Sequence, residues 1–222
     1  GRAVVSARVG RVEVAVEVAV APLLPMLPAP FPTGESLRPI SAAYDFSWVD
    51  KIDRPHKVVF DSPAVSDGGA LYRSVMLRDQ YREAFGVFPD QIASVLVIRH
   101  EAIPLAMDHS YWERFEIGKE LEMKDRDDQW ITTNPIGPVA ADARPGAAKY
   151  TLPNFIAEGG VVLACDLAFG FAAAKYRAEG VSREAARAEA LQHLIPGVIL
   201  QPSGFFAVIR AQQAGCALFC NG

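Results

Sequence analysis

The chain has 222 residues, of which half are hydrophobic and 22% are charged, and its formal net charge is -4. This length accommodates one good-sized domain with extensions, and the hydrophobic content excludes a disordered chain. No window carries the dense run of Lys and Arg that binding to phosphates requires. Together with the negative net charge, this argues against a nucleic-acid partner.

The most apolar window, residues 12–32, is not a transmembrane helix because it contains Glu13, Glu17 and several prolines. We therefore expect no membrane span in this chain, although it could dock on a membrane complex. Cys216 and Cys220 lie four positions apart on a predicted strand. Four strand residues span about 13 Å, which is beyond the reach of a disulfide.

No complete cofactor or metal motif is present. The pair Gly68-Gly69 follows a predicted strand, but the Lys-Ser/Thr pair of a phosphate loop and the GxGxxG spacing are both missing. The spacing of Cys and His does not resemble a zinc site. We therefore expect neither a metal nor a cofactor.

An N-terminal arm and lead-in, residues 1–55, precedes the predicted domain. Residues 11–20 alternate strictly, which predicts a strand with one wet face, and the Pro-rich stretch 22–32 favours an extended backbone. The arm either packs on its own domain or stays mobile, or else it adds a strand to the sheet edge of a partner. The residues of its apolar face are Val12, Val14, Val16, Val18 and Val20.

From residue 56 onward, short apolar segments of strand length alternate with segments of helix length. The predicted strands are 56–62, 91–100, 161–165, 197–201 and 216–220. Strands of this kind are buried on both faces of a parallel sheet. Right-handed crossovers then predict a three-layer α/β sandwich with a five-stranded, mainly parallel, flavodoxin-like sheet over residues 56–222, preceded by the extended arm.

The predicted helices cover 69–85, 148–158, 166–180, 183–193 and 202–215, with Ser110 predicted to cap a further short helix. Asp166 and Ser182 are predicted caps of the two helices that follow the third strand. Residues 118–147 lack clear periodicity. An excursion of this length is usually functional or disordered, and we expect it to lie near the site.

Three residues at the carboxyl ends of predicted strands could carry chemistry: Asp61, His100 and Cys165. A thiol at a helix amino terminus meets partial positive charge, which favours a thiolate nucleophile. His100 would then act as acid or base, with Asp61 orienting it. Alternatively, Cys165 is a small core residue, His100 covers a strand end and Asp61 caps a loop. Asp166, next to Cys165, opposes thiolate formation.

Three motifs resemble the DsrE-like family of flavodoxin-like relatives of the sulfur-relay sulfurtransferases. They are VLVIRHEAIPLAM, GGVVLACDLAF and PGVILQPSGFFAVIRAQQAGCALF, and the resemblance covers residues 56–220. It implies the three-layer fold and an oligomer. In the relay members a cysteine after the corresponding strand carries a persulfide, and Cys165 is the matching position.

The arm, the excursion and Asp166 depart from the compact relay proteins, and the chain looks more like the exported DsrE-like subset. This resemblance implies a periplasmic location, with the cytoplasm as the alternative. The function expected from it is an accessory or structural subunit of unassigned activity that binds protein partners, or copies of itself, through the arm. The alternative is a sulfur carrier or sulfurtransferase that uses Cys165 as its persulfide site.

Overall fold

The computed structural model describes residues 2–9, 12–19, 42–139, 144–177 and 180–220. The chain divides into two compact units, Gly1–Arg38 and Pro39–Gly222. The second unit therefore includes part of the predicted lead-in as well as the predicted domain. Val20 and the Pro-rich stretch 22–32 lie outside the described residues.

The first unit contains an antiparallel hairpin of β1 (Arg2–Val9) and β2 (Val12–Ala19). The strand predicted at 11–20 is confirmed as β2. Its partner is β1, which the alternation of β2 alone did not predict. The register runs from Val9 opposite Val12 to Arg2 opposite Ala19, so the two strands are paired over their full length.

The second unit is built on a sheet of β3 (His56–Ser62), β4 (Ile92–Ile98), β5 (Val161–Cys165), β6 (Val198–Gln201) and β7 (Ala217–Cys220). All neighbouring pairs are parallel, and the strand order is β6-β5-β4-β3-β7. The predicted five-stranded parallel α/β sandwich is therefore confirmed. β4 ends two residues before His100, so the prediction that this strand finishes at His100 is wrong.

Helices cover both faces of the sheet. The front layer contains α1 (Gly69–Phe85), α4 (Leu152–Ala157), α5 (Asp166–Arg177) and α6 (Arg183–Gln192). The back layer contains α7 (Gly204–Gln213) and the 3-10 helix Ser47–Lys51. Two shorter helices, α2 (His109–Arg114) and α3 (Ile117–Glu120), follow β4.

The strand order explains why α7 is the one long helix on the back among the helices that the structure describes. The chain steps from β3 through β4 and β5 to β6 in one direction, with its crossovers on the front. It then returns across the sheet to β7 through α7. Because crossovers are right-handed, reversing the direction moves the helix to the opposite face.

The lead-in contributes to the core of the second unit. Trp48 is fully buried and Ile52 is buried, and both pack in the back-layer core with α7. Burying an aromatic side chain of this size contributes about 2 to 3 kcal/mol of hydrophobic stabilisation. Residues before 56 are thus part of the sandwich, which explains why the compact unit starts earlier than the predicted domain.

The excursion 118–147 is partly ordered by a buried amide. Asn134 is buried and donates through Nδ2 to the carbonyls of Leu105 and Met107 at 2.8 and 2.7 Å. Its Oδ1 accepts the N–H of Ile136, which is itself a core residue. The described part of this segment is therefore tied to the loop after β4, while residues 140–143 lie outside the described residues.

Two predicted helix starts are different in the structure. Asp108, not Ser110, caps α2, because its carboxylate accepts the N–H of Tyr111. The helix predicted from 148 is split at Thr151, which caps α4 by accepting the N–H of Asn154. Pro153 in the first turn of α4 lacks the N–H that would continue an earlier helix.

Among the described residues, no helix combines the length and the apolar character needed to cross a membrane.

Candidate functional site

An ion pair lies at the carboxyl ends of β3 and β4. Arg99 follows β4 directly, and its Nε and Nη2 donate to the two carboxylate oxygens of Asp61, each at 2.7 Å. Asp61 is 7% exposed, and its hydrogen bonds raise the pKa of Arg99 above its ordinary value. The site therefore contains a fixed guanidinium, which no sequence pattern indicated.

Gly204, the first residue of α7, makes room for this arginine. A Cβ at position 204 would lie 2.4 Å from the Cβ of Arg99, much closer than two carbon atoms that are not bonded to each other can approach. The glycine thus lets the amino terminus of α7 lie directly against Arg99. Three elements, β3, β4 and α7, together position the guanidinium.

Cys165 is the last residue of β5 and immediately precedes α5. Its Sγ accepts the N–H of Ala168 at 3.4 Å, the contact that a capping side chain makes with the third residue of a helix. The cap predicted for Asp166 is therefore supplied by the thiol, and Asp166 is the first helical residue. Cys165 is 7% exposed and is therefore a buried residue.

Arg99, besides its ion pair with Asp61, interacts electrostatically with two cysteines. After the hydrogen bonds to Asp61, smaller coulombic contributions from the positions of Cys165 and Cys220 also raise the pKa of the Arg99 guanidinium. Both sulfurs are therefore within electrostatic range of this cation. Sγ of Cys165 also lies at the amino terminus of α5, the end of a helix that carries partial positive charge.

Asp166 is paired, which changes its expected effect on Cys165. Its Oδ1 accepts from Nη2 of Arg187 at 2.6 Å, and its Oδ2 accepts from the hydroxyl of Tyr44 at 3.0 Å. Burial, followed by the hydrogen bond to Asp166, raises the pKa of Tyr44. The Arg187 cation offsets the carboxylate charge that was predicted to oppose thiolate formation.

A segment of the lead-in crosses the sheet edge here, and we call residues 44–48 the strap. Tyr44 binds Asp166 on the front side, and Nε2 of Gln201 at the end of β6 donates to the carbonyl of Asp45 at 2.8 Å. On the back side, the ring centroid of Phe46 lies 5.8 Å from that of Phe206 in α7. The strap therefore passes over the carboxyl ends of β5 and β6.

The position of the strap is significant because the connections after β5 and β6 leave toward opposite faces, to α5 and α7. In open α/β sheets, ligands bind at such a reversal point. In this protein, its own chain covers that position. The sequence offered only a weak signal for this, namely the alternating aromatic residues Tyr44, Phe46 and Trp48.

His100 is exposed and begins the 3-10 helix His100–Ala106, with a positive φ of 49°. Within the described part of the chain, no hydrogen bond or ion pair joins it to Cys165 or Asp61. The structure thus brings Asp61 together with Arg99 rather than with His100. The imidazole instead lines a separate cleft with Phe171 of α5.

The other two cysteines differ from Cys165 and from each other. All three are free thiols, with Cys216 buried and Cys220 exposed. Burial raises the pKa of Cys216 to about 11, which makes its thiol inert at neutral pH. Within the described ranges, no group of three or more His, Cys, Asp or Glu side chains is placed to hold a metal ion.

No protein-family model matches the chain, and no curated protein sequence matches it.

Proposed function

We propose that the protein is a sulfur carrier in which Cys165 holds a persulfide. The observation that supports this best is the position of Sγ at the amino terminus of α5, bonded to the N–H of Ala168 and within electrostatic range of Arg99. Both groups stabilise negative charge on sulfur. The resemblance of residues 56–220 to the DsrE-like family points to the same cysteine.

The proposed step needs no redox partner. The Cys165 thiolate attacks the outer sulfur of a donor persulfide, a new S–S bond forms at Cys165, and the S–S bond of the donor breaks. The donor leaves as a thiolate and keeps the electron pair of the broken bond. Sulfur then passes to an acceptor thiolate by the same exchange, and Arg99 stabilises the anionic terminal sulfur between the two transfers.

Mass spectrometry of the folded protein tests this proposal. After incubation with a low-molecular-weight persulfide, we expect a mass increase of about 32 Da for one sulfur atom on the peptide that contains Cys165. The variant Cys165→Ser should lose the adduct, whereas Cys220→Ser, which removes the exposed thiol, should keep it. An adduct that persists in Cys165→Ser and disappears in Cys220→Ser would contradict the proposal.

A second function, an accessory subunit that associates through its arm, is supported by the register of the hairpin. Opposed residues of an antiparallel pair share a face. One face of the hairpin therefore combines Val12, Val14, Val16 and Val18 with Val9, Ala7, Val5 and Ala3. The opposite face includes the pair Arg8 and Glu13. A two-stranded hairpin is only marginally stable in water, so its apolar face favours a packing partner.

Association through the arm can be tested by charge placement. Val16 and Ala15 are adjacent positions on opposite faces of β2, so Val16→Lys and Ala15→Lys are matched variants. We expect Val16→Lys, like deletion of residues 1–32, to reduce the sedimentation coefficient to that of a monomer, and Ala15→Lys to leave it unchanged. A sedimentation coefficient of Val16→Lys equal to those of Ala15→Lys and the unaltered protein would rule out association through this face.

A further inference from the structure

A cleft of about 880 Å³ opens beside the carboxyl ends of β3 and β4, and we call it the β3–β4 cleft. Pro63 and Ala64, which follow β3, and His100 and Glu101, which follow β4, form one wall, and Phe171 on α5 lies opposite. The volume is that of a small-molecule site. The end of a parallel sheet at which the cleft opens is where α/β proteins bind ligands.

The interior of the cleft is apolar. Ile103 and Pro104 from the 3-10 helix, Leu121 and Ala172 line it together with Phe171, whose side chain is 75% exposed. Tyr111 also borders the cleft, and its buried hydroxyl donates to the carbonyl of Ala172 at 3.1 Å. The apolar part therefore suits a short hydrocarbon or aromatic group that would shield the Phe171 ring from water.

The charges that line the cleft are unbalanced. Lys175 is ion-paired with Glu120, so its charge is already satisfied. Glu101 forms no ion pair with any cation in the described part of the chain. A smaller groove of about 290 Å³ shares Glu101 with the cleft and adds Asp67, which likewise lacks a cationic partner among the described residues. The polar end of the cleft therefore presents carboxylates in excess.

We propose that the β3–β4 cleft binds a small organic cation, an amine with an aromatic or short aliphatic body. The ammonium group lies at Glu101, near the groove that contains Asp67, and the body covers Phe171 and Leu121. His100, on the same wall, offers an imidazole ring whose nitrogens can donate or accept a hydrogen bond. This site is independent of Cys165 and does not require sulfur chemistry.

Isothermal titration calorimetry at pH 7 with three probes of similar size tests the proposal. The probes are 2-phenylethylamine, the neutral 2-phenylethanol and the anionic 3-phenylpropionate. We expect saturable binding of the amine at one site, weaker binding of the alcohol and the weakest binding of the carboxylate. The preference for the amine should decrease at high salt because the charges are solvent-accessible. Equal or tighter binding of the carboxylate would overturn the proposal.

Two substitutions locate the binding site. Glu101→Gln should weaken the amine about three- to fivefold and leave the alcohol unchanged, as expected for one partly exposed ion pair. Phe171→Ala should weaken both probes. Glu113→Gln, an exposed carboxylate on α2 outside the cleft lining, is the matched control and should change neither. Binding of the amine that is insensitive to both Glu101→Gln and Phe171→Ala would contradict the proposed site.

Discussion

Asp61 on β3 and Arg99, which directly follows β4, are joined by two hydrogen bonds of 2.7 Å although they are 38 positions apart in the sequence. Asp61 is almost fully buried, whereas the side chain of Arg99 is 23% exposed. The guanidinium is therefore held in one orientation by a carboxylate that water barely reaches. This arrangement holds the Arg99 side chain in a fixed position at the carboxyl ends of β3 and β4.

Breaking this pair should destabilise the fold. We expect Asp61→Asn to lower the free energy of unfolding by about 2 to 3 kcal/mol, since it leaves the charge of Arg99 partly buried and unpaired. Urea denaturation measures this loss. Adding Arg99→Gln should restore part of it, because the double variant contains no unpaired charge.

The exposed pair of Lys124 and Asp128 serves as the control for this experiment. Its distance is also 2.7 Å, but the side chain of Asp128 is 83% exposed. We expect Asp128→Asn to cause no measurable loss, because solvent screens such a pair. A similar loss in both variants would show that burial does not determine the strength of the Asp61–Arg99 pair.

The strap should control access to Cys165. Its aromatic contact with Phe206 is made by Phe46, so we expect Phe46→Ala to raise the rate at which iodoacetamide alkylates Cys165 severalfold in the native protein. Tyr44→Phe, which removes the hydrogen bond to Asp166, should have a smaller effect in the same direction. Peptide mapping by mass spectrometry gives the rate at each cysteine separately.

The other two cysteines are internal controls for the strap. Cys220 is already exposed and Cys216 is buried, so neither rate should change when the strap loosens. Acceleration at Cys216 as well would indicate global opening rather than movement of the strap. An unchanged rate at Cys165 would show that the strap does not limit access.

Local signals in the sequence predicted much of the sheet. The bounds of β3 and β5 and of α1 follow from apolar runs and from the stop at Gly86. β4 was extended too far because the prediction continued the strand beyond the end of the apolar run at Ile98, through Arg99 to His100. The partner of β2 was missed because the pairing with β1 depends on register, and periodicity within one strand does not contain that information.

The site was only partly predictable because its contacts are distant in sequence. Cys165 and Asp61 were identified from their positions at strand ends. Arg99 was not identified, because its role depends on Asp61 of the neighbouring strand β3. The contact between Tyr44 and Asp166 spans 122 positions, and no local pattern reports such a pair. His100 was predicted to end a strand. In the structure it has a positive φ and begins a 3-10 helix, and its side chain lines the cleft.

The buried thiol of Cys216 should make the fold sensitive to alkaline pH. Burial raises its pKa from 9.0 to about 11. Between these values the unfolded chain loses the proton while the folded protein keeps it, so stability decreases as pH rises above about 9. We expect a loss of about 1 kcal/mol between pH 8 and pH 10 from this group.

Urea denaturation at several pH values, kept at or below pH 10, measures this effect. The upper limit is needed because burial also raises the pKa of Tyr111. Above the ordinary tyrosine pKa near 10, this group would further lower the free energy of unfolding as pH rises. Cys216→Ala should remove the pH-dependent part of the loss. Cys220→Ser, at an exposed thiol, should keep it. An identical pH dependence in Cys216→Ala and the unaltered protein would exclude Cys216 as the cause.

Two glycines should respond to the same substitution with opposite signs. At Gly204 an added Cβ meets the Cβ and Cδ of Arg99 at 2.4 and 2.6 Å, so Gly204→Ala should cost about 1 to 3 kcal/mol by overpacking. At Gly170, within α5, nothing lies within 4 Å of the added atom. Gly170→Ala should therefore stabilise the protein by about 0.5 to 1 kcal/mol, because alanine favours the helix.

The Gly204 substitution also tests whether α7 and the ion pair form one unit. If Gly204→Ala displaces Arg99 from Asp61, the double variant Gly204→Ala/Asp61→Asn should cost less than the sum of the two single variants, as residues in one network are not additive. Gly170→Ala combined with Asp61→Asn should be additive. Additive costs in both double variants would show that α7 can accommodate the methyl group without moving Arg99.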